Sequence, residues 1–208
     1  SHGAYTFCTL PDRLGGIKPP MLKEYIQFFL NFLKNAKQTA SVIPTSNIAT
    51  KKVCDEIDFS RPVVVIEFGP GTGNVAEEVA KRMSPTSRLL LIEANPEFIV
   101  ALQEKFAHDE RVEIVEGFAQ DAEEIVKRFS IEGADIILAN IPFTFFDEPT
   151  RKNIVRAAKS ILKSGGIFIA FPFTTTIRPY LQEAFSQVIE KTTWQNMPPL
   201  RVFVAKKE

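Results

Sequence analysis

The sequence predicts an α/β fold: a mostly parallel sheet of seven strands, preceded by helices. Five apolar runs of strand length alternate with amphipathic stretches of helical length, which is typical of a parallel sheet covered on both faces. Two further runs close the chain on either side of "QNMPP". We expect these two runs to form an antiparallel hairpin at one edge of the sheet.

Residues 1–60 are predicted to form a helical segment that covers the domain or contacts a membrane. "IKPPMLKEYIQFFLNFLKNAKQ" follows a proline pair, and its apolar side chains occupy an arc of about 200° on a helical wheel. Part of so wide an arc could cover a ligand site while exposed aromatics enter a lipid interface. An amphipathic helix docked wholly on the domain is the alternative. "TSNIATKKVCDEI" predicts a second helix, capped by Thr45 or Ser46.

Residues 61–208 are predicted to form the sheet domain. Its strands are expected at "VVVIEF", "RLLLIEA", "RVEIVEG", "ADIILAN", "GGIFIAF", "SQVIEKTTW" and "LRVFVAKK". Its helices are expected at residues 74–83, 96–107, 121–129, 148–162 and 178–185.

Composition excludes several classes of protein. The 208 residues suit one α/β domain with a short appendage, and 25 basic residues balance 25 acidic ones, which argues against a nucleic-acid coat. Cys8 and Cys54 have no partner at metal-ligand spacing, so no metal site is expected. No apolar run approaches the ~20 residues that cross a bilayer, and no signal peptide is visible. These features predict a cytoplasmic protein.

The N-terminal quarter carries a local excess of positive charge. Residues 1–52 hold seven lysines and arginines against Asp12 and Glu24. Each basic residue near an anionic membrane surface contributes about 1 kcal/mol. We therefore expect reversible, peripheral attachment to the inner face of a membrane.

A glycine-rich turn follows the first predicted strand in "VVVIEFGPGTGNVAEEV". Glu67 ends the strand, and Gly69, Gly71 and Gly73 allow backbone angles and close approaches that a Cβ would forbid. Ligands of open α/β sheets bind beyond the carboxyl ends of the strands, although tight turns also use glycine for packing. Glu93 ends the second strand, 20 residues past Gly73, where a carboxylate can accept both hydroxyl hydrogens of a ribose. The two features together favour a bound nucleoside.

These residues resemble the first two motifs of class I S-adenosylmethionine-dependent methyltransferases, which have a Rossmann-like seven-stranded sheet. The resemblance implies S-adenosylmethionine as cofactor, bound by Glu67, the three glycines, Glu93 and the following Ala94. A dinucleotide would use a similar turn and acid. Pro70 removes one N–H donor that a pyrophosphate could use, which favours the methyl donor.

The residues after the third strand are implied by the same resemblance to hold adenine. The family commonly has an aspartate directly after the glycine of this segment, where this sequence has Phe118 in "VEGFAQDAEEI". Contacts to the adenine amine would then come from the backbone near Phe118 and Ala119, or from Asp121. Asp121 could equally be the N-cap of the next helix.

The tetrapeptide Asn140-Ile141-Pro142-Phe143 follows the fourth strand and resembles the N-L-P-Y motif of ribosomal RNA adenine dimethylases. The Asn140 side-chain oxygen and the Ile141 carbonyl could accept two amine hydrogens and align the nitrogen lone pair for in-line displacement. Phe143 offers a face for a base or a growing cation. Asn140 would also border the cofactor. The alternative is a proline turn with a core phenylalanine.

Both ends of the chain resemble bacterial phospholipid N-methyltransferases, which convert phosphatidylethanolamine stepwise to phosphatidylcholine. The similar segments are "FLNFLKNAKQTASVIPTSNIA" and "TWQNMPPLRVFVAKK". A phospholipid acceptor would need its phosphate held, for which Arg178 is the candidate with Tyr180 assisting. Tyr25 could fold over the cofactor. A solvated Arg178 and a core Tyr25 are the alternatives.

Two other functions remain open at the level of sequence. The N-I-P-F tetrapeptide is compatible with N-methylation of adenine in RNA, which would make nucleic acid the partner. A non-catalytic cofactor-binding module that recruits a protein through its N-terminal helix is the third hypothesis.

Overall fold

The computed structural model describes residues 47–193 and 200–208, which belong to one compact unit. The predicted N-terminal helix with Tyr25 lies outside the described residues. So do Cys8, the two proposed caps Thr45 and Ser46, and the "QNMPP" turn. The roles predicted for these segments therefore stay predictions.

Seven strands and six helices alternate along the described chain almost as the periodicity predicts. The helices are α1 (Asn47–Cys54), α2 (Asn74–Arg82), α3 (Pro96–Lys105), α4 (Ala122–Arg128), α5 (Glu148–Ile161) and α6 (Arg178–Ala184). The strands are β1 (Val64–Phe68), β2 (Arg88–Glu93), β3 (Val112–Glu116), β4 (Ala134–Ala139), β5 (Leu162–Ala170), β6 (Gln187–Thr193) and β7 (Leu200–Lys206). Short 3-10 turns cover Ala119–Asp121 and Phe143–Phe145. Among these helices, none has the length and apolar character needed to span a bilayer.

The strands form one sheet in the order β3-β2-β1-β4-β5-β7-β6. The first five strands in this order are parallel, while β7 is antiparallel to both β5 and β6. The predicted fold class is therefore confirmed. The C-terminal hairpin lies at one end of the sheet, with β6 as the edge strand. Strand order reverses between β1 and β4, and a sheet of this kind binds ligands where the order reverses.

Both faces of the sheet are covered by apolar cores, which explains the nearly uninterrupted apolar strands. Ile66, Phe68 and Leu90 pack into the core on one face, while Val65 and Leu89 pack into the core on the other. A parallel sheet buried on both sides requires apolar residues at consecutive positions rather than at alternate ones.

Helix α1 belongs to the core of the sheet domain, although it lies within the segment predicted as residues 1–60. Ala49, Val53 and Cys54 are fully buried in the same cluster as residues of α2 and β1. Lys191 of β6 reaches Glu56, just after α1, at 2.8 Å. The division at residue 60 itself stays a prediction.

The helices after the central strands begin close to the strand ends and use different caps. Asn95 caps α3 by accepting the N–H of Glu97 at 2.9 Å, and Asp147 caps α5 by accepting the N–H of Thr150 at 3.0 Å. Helix α2 instead follows Gly73 and has no side-chain cap. The start of α2 thus depends on the conformation of the glycine turn.

Candidate active site

The glycine turn and the loop after β4 lie side by side at the carboxyl edge of the sheet. The N–H of Asn140 donates to the carbonyl of Phe68, at the end of β1, over 3.0 Å. A Cβ built on Gly69 would lie 2.5 Å from Cγ2 of Ile141 and 3.3 Å from the carbonyl oxygen of Asn140. The two motifs singled out in the sequence are therefore brought together, and Gly69 is required for their close packing.

The three positions of the turn require glycine for different physical reasons. All three have positive φ, at +66° for Gly69, +57° for Gly71 and +75° for Gly73. A Cβ on Gly73 would lie 2.6 Å from Cδ2 of Leu102, so this glycine permits helix packing. Among the described residues, a Cβ on Gly71 would meet only a ring carbon of Phe98, at 4.0 Å. The space beside Gly71 is thus open, as a ligand that approaches the backbone requires.

Glu93 holds the glycine turn to the end of β2. One carboxyl oxygen accepts the N–H of Gly71 at 2.9 Å, and the other accepts those of Ala94 and Asn95, each at 2.9 Å. The side chain is 3% exposed, and burial raises its pKa although the three backbone hydrogen bonds oppose that shift. Three of about four lone-pair positions are therefore used within the turn. The oxygen that faces Gly71 retains one position for a ligand hydroxyl.

Sequence reasoning placed Glu93 in the site but missed its role in holding the turn. It expected the carboxylate to accept both hydroxyl hydrogens of a ribose. The structure instead commits most of the carboxyl group to backbone donors. The sequence contained a signal for part of this role, because an acid two residues before Asn95-Pro96 is close to the N–H groups that precede the next helix.

Glu67, at the end of β1, is fully buried, and neither of its carboxyl oxygens has a hydrogen-bond partner among the described residues. Burial, with a further contribution from Glu93, raises the pKa of Glu67 to about 8. An unpartnered buried acid is costly, and such groups commonly mark a ligand or functional site. The ammonium group in the amino-acid part of S-adenosylmethionine would supply the missing donor, so this residue fits the predicted cofactor.

The segment predicted to hold adenine follows β3 directly. Phe118 is partly buried and Ala119 is buried, and both follow β3 at the carboxyl edge. Asp121 occupies the N-cap position of α4, but its side chain makes no capping hydrogen bond. The predicted alternative of a capping Asp121 is therefore not realised. Burial, followed by the charge of Glu124, raises the pKa of Asp121.

The loop after β4 presents one unpartnered amide. The Asn140 side chain is partly buried and forms no hydrogen bond with the described residues. The carbonyl of Ile141 accepts the N–H of Phe143 at 3.0 Å, which leaves one lone pair. Pro142 precedes the 3-10 turn at Phe143–Phe145. Two oxygen acceptors are thus present on consecutive residues.

Phe143 is a core residue, which corrects the prediction that its face meets the acceptor. Its side chain is 1% exposed and packs edge-on against Phe146, with ring centroids 6.4 Å apart. A stacking role needs an accessible ring face, which this burial removes. The turn bends the chain inward at this position, an outcome that the tetrapeptide alone does not distinguish from an exposed ring.

Arg178 and Tyr180, predicted to hold a lipid phosphate, are engaged by other residues. Arg178 forms an ion pair with Glu190 of β6, and Arg201 of β7 binds the same carboxylate at 2.6 Å. The Tyr180 hydroxyl lies 3.4 Å from a guanidinium nitrogen of Arg151, which sequence reasoning did not single out. Arg178 begins α6 with its side chain 42% exposed, so it is a partly solvated helix-start arginine that also forms an ion pair.

Within residues 47–193 and 200–208, no three His, Cys, Asp or Glu side chains are grouped closely enough to hold a metal ion.

Comparisons of the sequence identify related proteins. The family described as "Methyltransferase domain" matches residues 65–166. Ornithine lipid N-methyltransferase of Singulisphaera acidiphila is 26% identical over 190 residues, which are 89% of this chain and 97% of that protein. The ribosomal RNA small subunit methyltransferase A of Mycoplasma capricolum is 26% identical over 99 residues, which are 47% of this chain and 35% of that protein. The probable enzyme of that name in Methanococcoides burtonii is 25% identical over 100 residues, which are 48% of this chain and 33% of that protein. The chain thus spans about a third of these two relatives.

Comparisons of the structure find the same sheet in other proteins. Precorrin-6y C5,15-methyltransferase from Geobacter metallireducens has a TM-score of 0.64 and 17% identity, over 80% of this chain and 92% of that chain. Aeropyrum pernix fibrillarin, in a complex with S-adenosyl-L-methionine, has a TM-score of 0.57 and 16% identity, over 72% and 69%. At these identities, the likeness concerns the fold.

Replacing Gly71 by alanine tests whether the open space beside this residue receives the cofactor. Gly71→Ala should fold, because the added Cβ meets no close atom and a left-handed alanine costs only about 1–2 kcal/mol. We expect its affinity for S-adenosylhomocysteine, measured by calorimetry, to fall at least about tenfold because each 1.4 kcal/mol lost is a factor of ten.

Gly165→Ala is the matched control for this variant. Gly165 also has a positive φ, +77°, and no atom within 4 Å of a built Cβ, but it lies in the first half of β5, away from the carboxyl edge. Gly165→Ala should lower the free energy of unfolding by a similar amount and leave the affinity for S-adenosylhomocysteine unchanged. Equal affinities in the two variants would show that the space beside Gly71 is not a ligand site.

Glu67→Gln should alter how stability depends on pH in the ligand-free protein. With a folded pKa of about 8 against an ordinary value of 4.5, Glu67 retains a proton in the folded state that it loses on unfolding between these values. The wild type should therefore lose stability as pH rises through this window, relative to the variant, with a slope of at most about 1.4 kcal/mol per pH unit.

Urea unfolding at several pH values between 5 and 8 measures this difference. Glu116→Gln, which changes an exposed acid at the end of β3, is the control. Wild-type and Glu67→Gln stabilities that run parallel with pH would mean that Glu67 is already ionised in the folded chain.

Proposed function

The chain is a class I S-adenosylmethionine-dependent methyltransferase, and we propose that it methylates the amine of a membrane lipid headgroup. The observation that carries this proposal is the extent of similarity. The match to ornithine lipid N-methyltransferase extends over 89% of this chain and 97% of that relative, whereas the two ribosomal RNA relatives match 47% and 48% of the chain. Phosphatidylethanolamine and ornithine lipid both present a primary amine, which is the chemical class of acceptor proposed.

The cofactor contacts are proposed at the carboxyl edge of the sheet. S-adenosylmethionine supplies a methyl group made electrophilic by its sulfonium sulfur. We assign its ammonium group to Glu67 and its ribose to the remaining lone pair of Glu93. The backbone at Gly71 is assigned a contact with the cofactor, while Gly69 and Gly73 permit the close packing of the turn against Ile141 and Leu102. Ala94, Phe118 and Ala119 are assigned to the adenosine.

The acceptor amine is assigned to the loop after β4. The Asn140 side-chain oxygen and the free lone pair of the Ile141 carbonyl accept two amine hydrogens. This leaves the nitrogen lone pair directed along a single axis, as in-line transfer requires. Transfer would form a nitrogen–carbon bond as the carbon–sulfur bond breaks, with S-adenosylhomocysteine as the leaving group, and the product ammonium would lose its proton to water. Pro142 restricts the backbone that carries these two acceptors.

Peripheral membrane association is proposed for the N-terminal segment. The positive charge of residues 1–52 and the wide apolar arc of the first predicted helix support it. A lipid acceptor makes such association useful, because the headgroup amine is presented only at a membrane surface.

Methylation of adenine in RNA is the second candidate function. It is favoured by the N-I-P-F tetrapeptide and by the similarity to two ribosomal RNA small subunit methyltransferases. It predicts binding that weakens steeply with salt and does not require lipid vesicles.

Labelled methyl donor should distinguish these acceptors. The full chain is incubated in parallel with vesicles that contain phosphatidylethanolamine, vesicles that contain ornithine lipid, and structured RNA. We expect label in at least one lipid and none in RNA. Label found only in RNA would overturn the lipid proposal, and binding of the donor without any labelled amine would favour the non-catalytic module.

Asn140→Ala tests whether residues 140–146, the acceptor loop, align the acceptor amine. We expect kcat to fall at least about 100-fold, because an alignment error of about 1 Å can cost that much. Binding of S-adenosylhomocysteine should change far less, since the Glu93 contacts to the turn are retained. Asn153→Ala, at an exposed position of α5, is the control that should leave both values unchanged. An Asn140→Ala enzyme with wild-type kcat would refute the assignment.

Removal of residues 1–37 tests the proposed membrane contact. The shortened chain should float less with vesicles that contain anionic lipid, and high salt should weaken binding of the full chain because charge attraction is screened. Equal flotation of both chains would place the membrane contact elsewhere.

A further inference from the structure

Arg151 of α5 connects the acceptor loop to helix α6. Its Nε donates to the carbonyl of Phe143 at 2.8 Å, and one terminal nitrogen donates to the carbonyl of Thr144 at 3.3 Å. The other terminal nitrogen lies 3.4 Å from the Tyr180 hydroxyl, and the guanidinium carbon is 6.0 Å from the centroid of the Tyr180 ring. One side chain thus joins two carbonyls of the loop to a residue of another helix.

The position of this arginine is unfavourable for its own helix. Arg151 lies near the start of α5, where the helix dipole favours negative charge rather than positive charge. Asp147 and Glu148 lie near enough for their charges to interact with that of Arg151, but their side chains are bound to other groups. Asp147 caps the helix at Thr150, and Glu148 pairs with Lys152 at 2.9 Å. Each of the three Arg151 hydrogen bonds goes to an uncharged oxygen. The side chain of Arg151 thus directs its hydrogen bonds to the loop and to Tyr180, and not to the acids of its own helix.

The loop is fixed at its start and at its end by different groups. At the start, the N–H of Asn140 is bound by the Phe68 carbonyl, and the Ile141 side chain packs against Gly69. At the end, the Phe143 carbonyl accepts the N–H of Phe146 within the 3-10 turn at 3.3 Å and also accepts the Nε–H of Arg151 at 2.8 Å. The next carbonyl, that of Thr144, accepts a second N–H of the same guanidinium at 3.3 Å. The orientation of the two acceptor oxygens thus depends on both attachments.

We propose that Arg151 is a positioning residue for methyl transfer, which holds Asn140 and Ile141 in the orientation that aligns the acceptor amine. The proposal rests on the proposed function in one respect, that the loop after β4 receives the acceptor. Tyr180 supports the guanidinium from α6, which gives this residue a role different from the predicted phosphate contact. Lysine cannot replace Arg151, because one ammonium on a flexible stem does not reproduce a planar fork directed at two carbonyls.

The test compares Arg151→Gln, Arg151→Lys and Tyr180→Phe with the wild type. Arg156→Gln is the matched control, because Arg156 is an exposed arginine of the same helix. For each full-length protein we measure kcat and KM with vesicles, affinity for S-adenosylhomocysteine, and hydrogen exchange of residues 140–146 and 67–73.

We expect Arg151→Gln to lower kcat by about 100-fold with cofactor affinity within about twofold, since misplacement of about 1 Å can cost that much. Exchange should rise in residues 140–146 and not in residues 67–73. Arg151→Lys should restore only a small part of kcat, and Tyr180→Phe should cost less than Arg151→Gln. Arg156→Gln should match the wild type.

Two results would overturn the proposal. The first is an Arg151→Gln enzyme with unchanged kcat or unchanged exchange in the loop. The second is a fall in cofactor affinity that parallels the fall in kcat, with faster exchange at both segments, because that pattern indicates general loosening of the fold. If the wild type labels RNA and not lipid, the lipid proposal fails, while the same ratios measured on RNA still test Arg151.

Discussion

The hydrogen bond between the Glu93 carboxyl group and the Gly71 N–H determines the geometry of the carboxyl edge of the sheet. It joins the end of β2 to the turn after β1 at 2.9 Å, while two further N–H groups satisfy the other carboxyl oxygen. The turn is therefore held in its left-handed conformation by the protein itself. A ligand that binds there finds a preformed backbone and does not bear the cost of ordering it. The same contact limits Glu93 to one remaining lone pair.

Two buried acids at neighbouring strand ends thus have opposite hydrogen-bonding states. Glu93 is satisfied by three backbone donors, whereas Glu67 has none among the described residues. The proximity of Glu93 also contributes to the raised pKa of Glu67. A cationic group placed between them would favour the ionised form of both acids. The cost of burying Glu67 without a partner is consequently a feature of the ligand-free protein that a positively charged ligand would relieve.

The fold was predictable because it depends on local patterns that recur along the chain. Apolar strands, helical periodicity and turn residues place each described element within a few residues of its observed bounds, and β5 differs most because it begins at Leu162, directly after α5. The site was predictable only in part. Glycine spacing locates the turn, but it does not distinguish Gly69 and Gly73, which permit packing, from Gly71, which borders open space. That distinction depends on side chains 29 to 72 residues away, such as Leu102 and Ile141.

Charge pairing between α6, β6 and β7 shows why the contacts of Arg178 were harder to predict than the fold. Arg178 and Arg201 share the carboxylate of Glu190, so this cluster retains one net positive charge although each arginine is paired. The cluster is connected to the acceptor loop through α6, because Tyr180 of that helix contacts Arg151 and Arg151 contacts Phe143. The loop after β4 and a net positive cluster are thus joined by one helix. The relevant charge belongs to the three residues together, and a sequence shows only the separate residues.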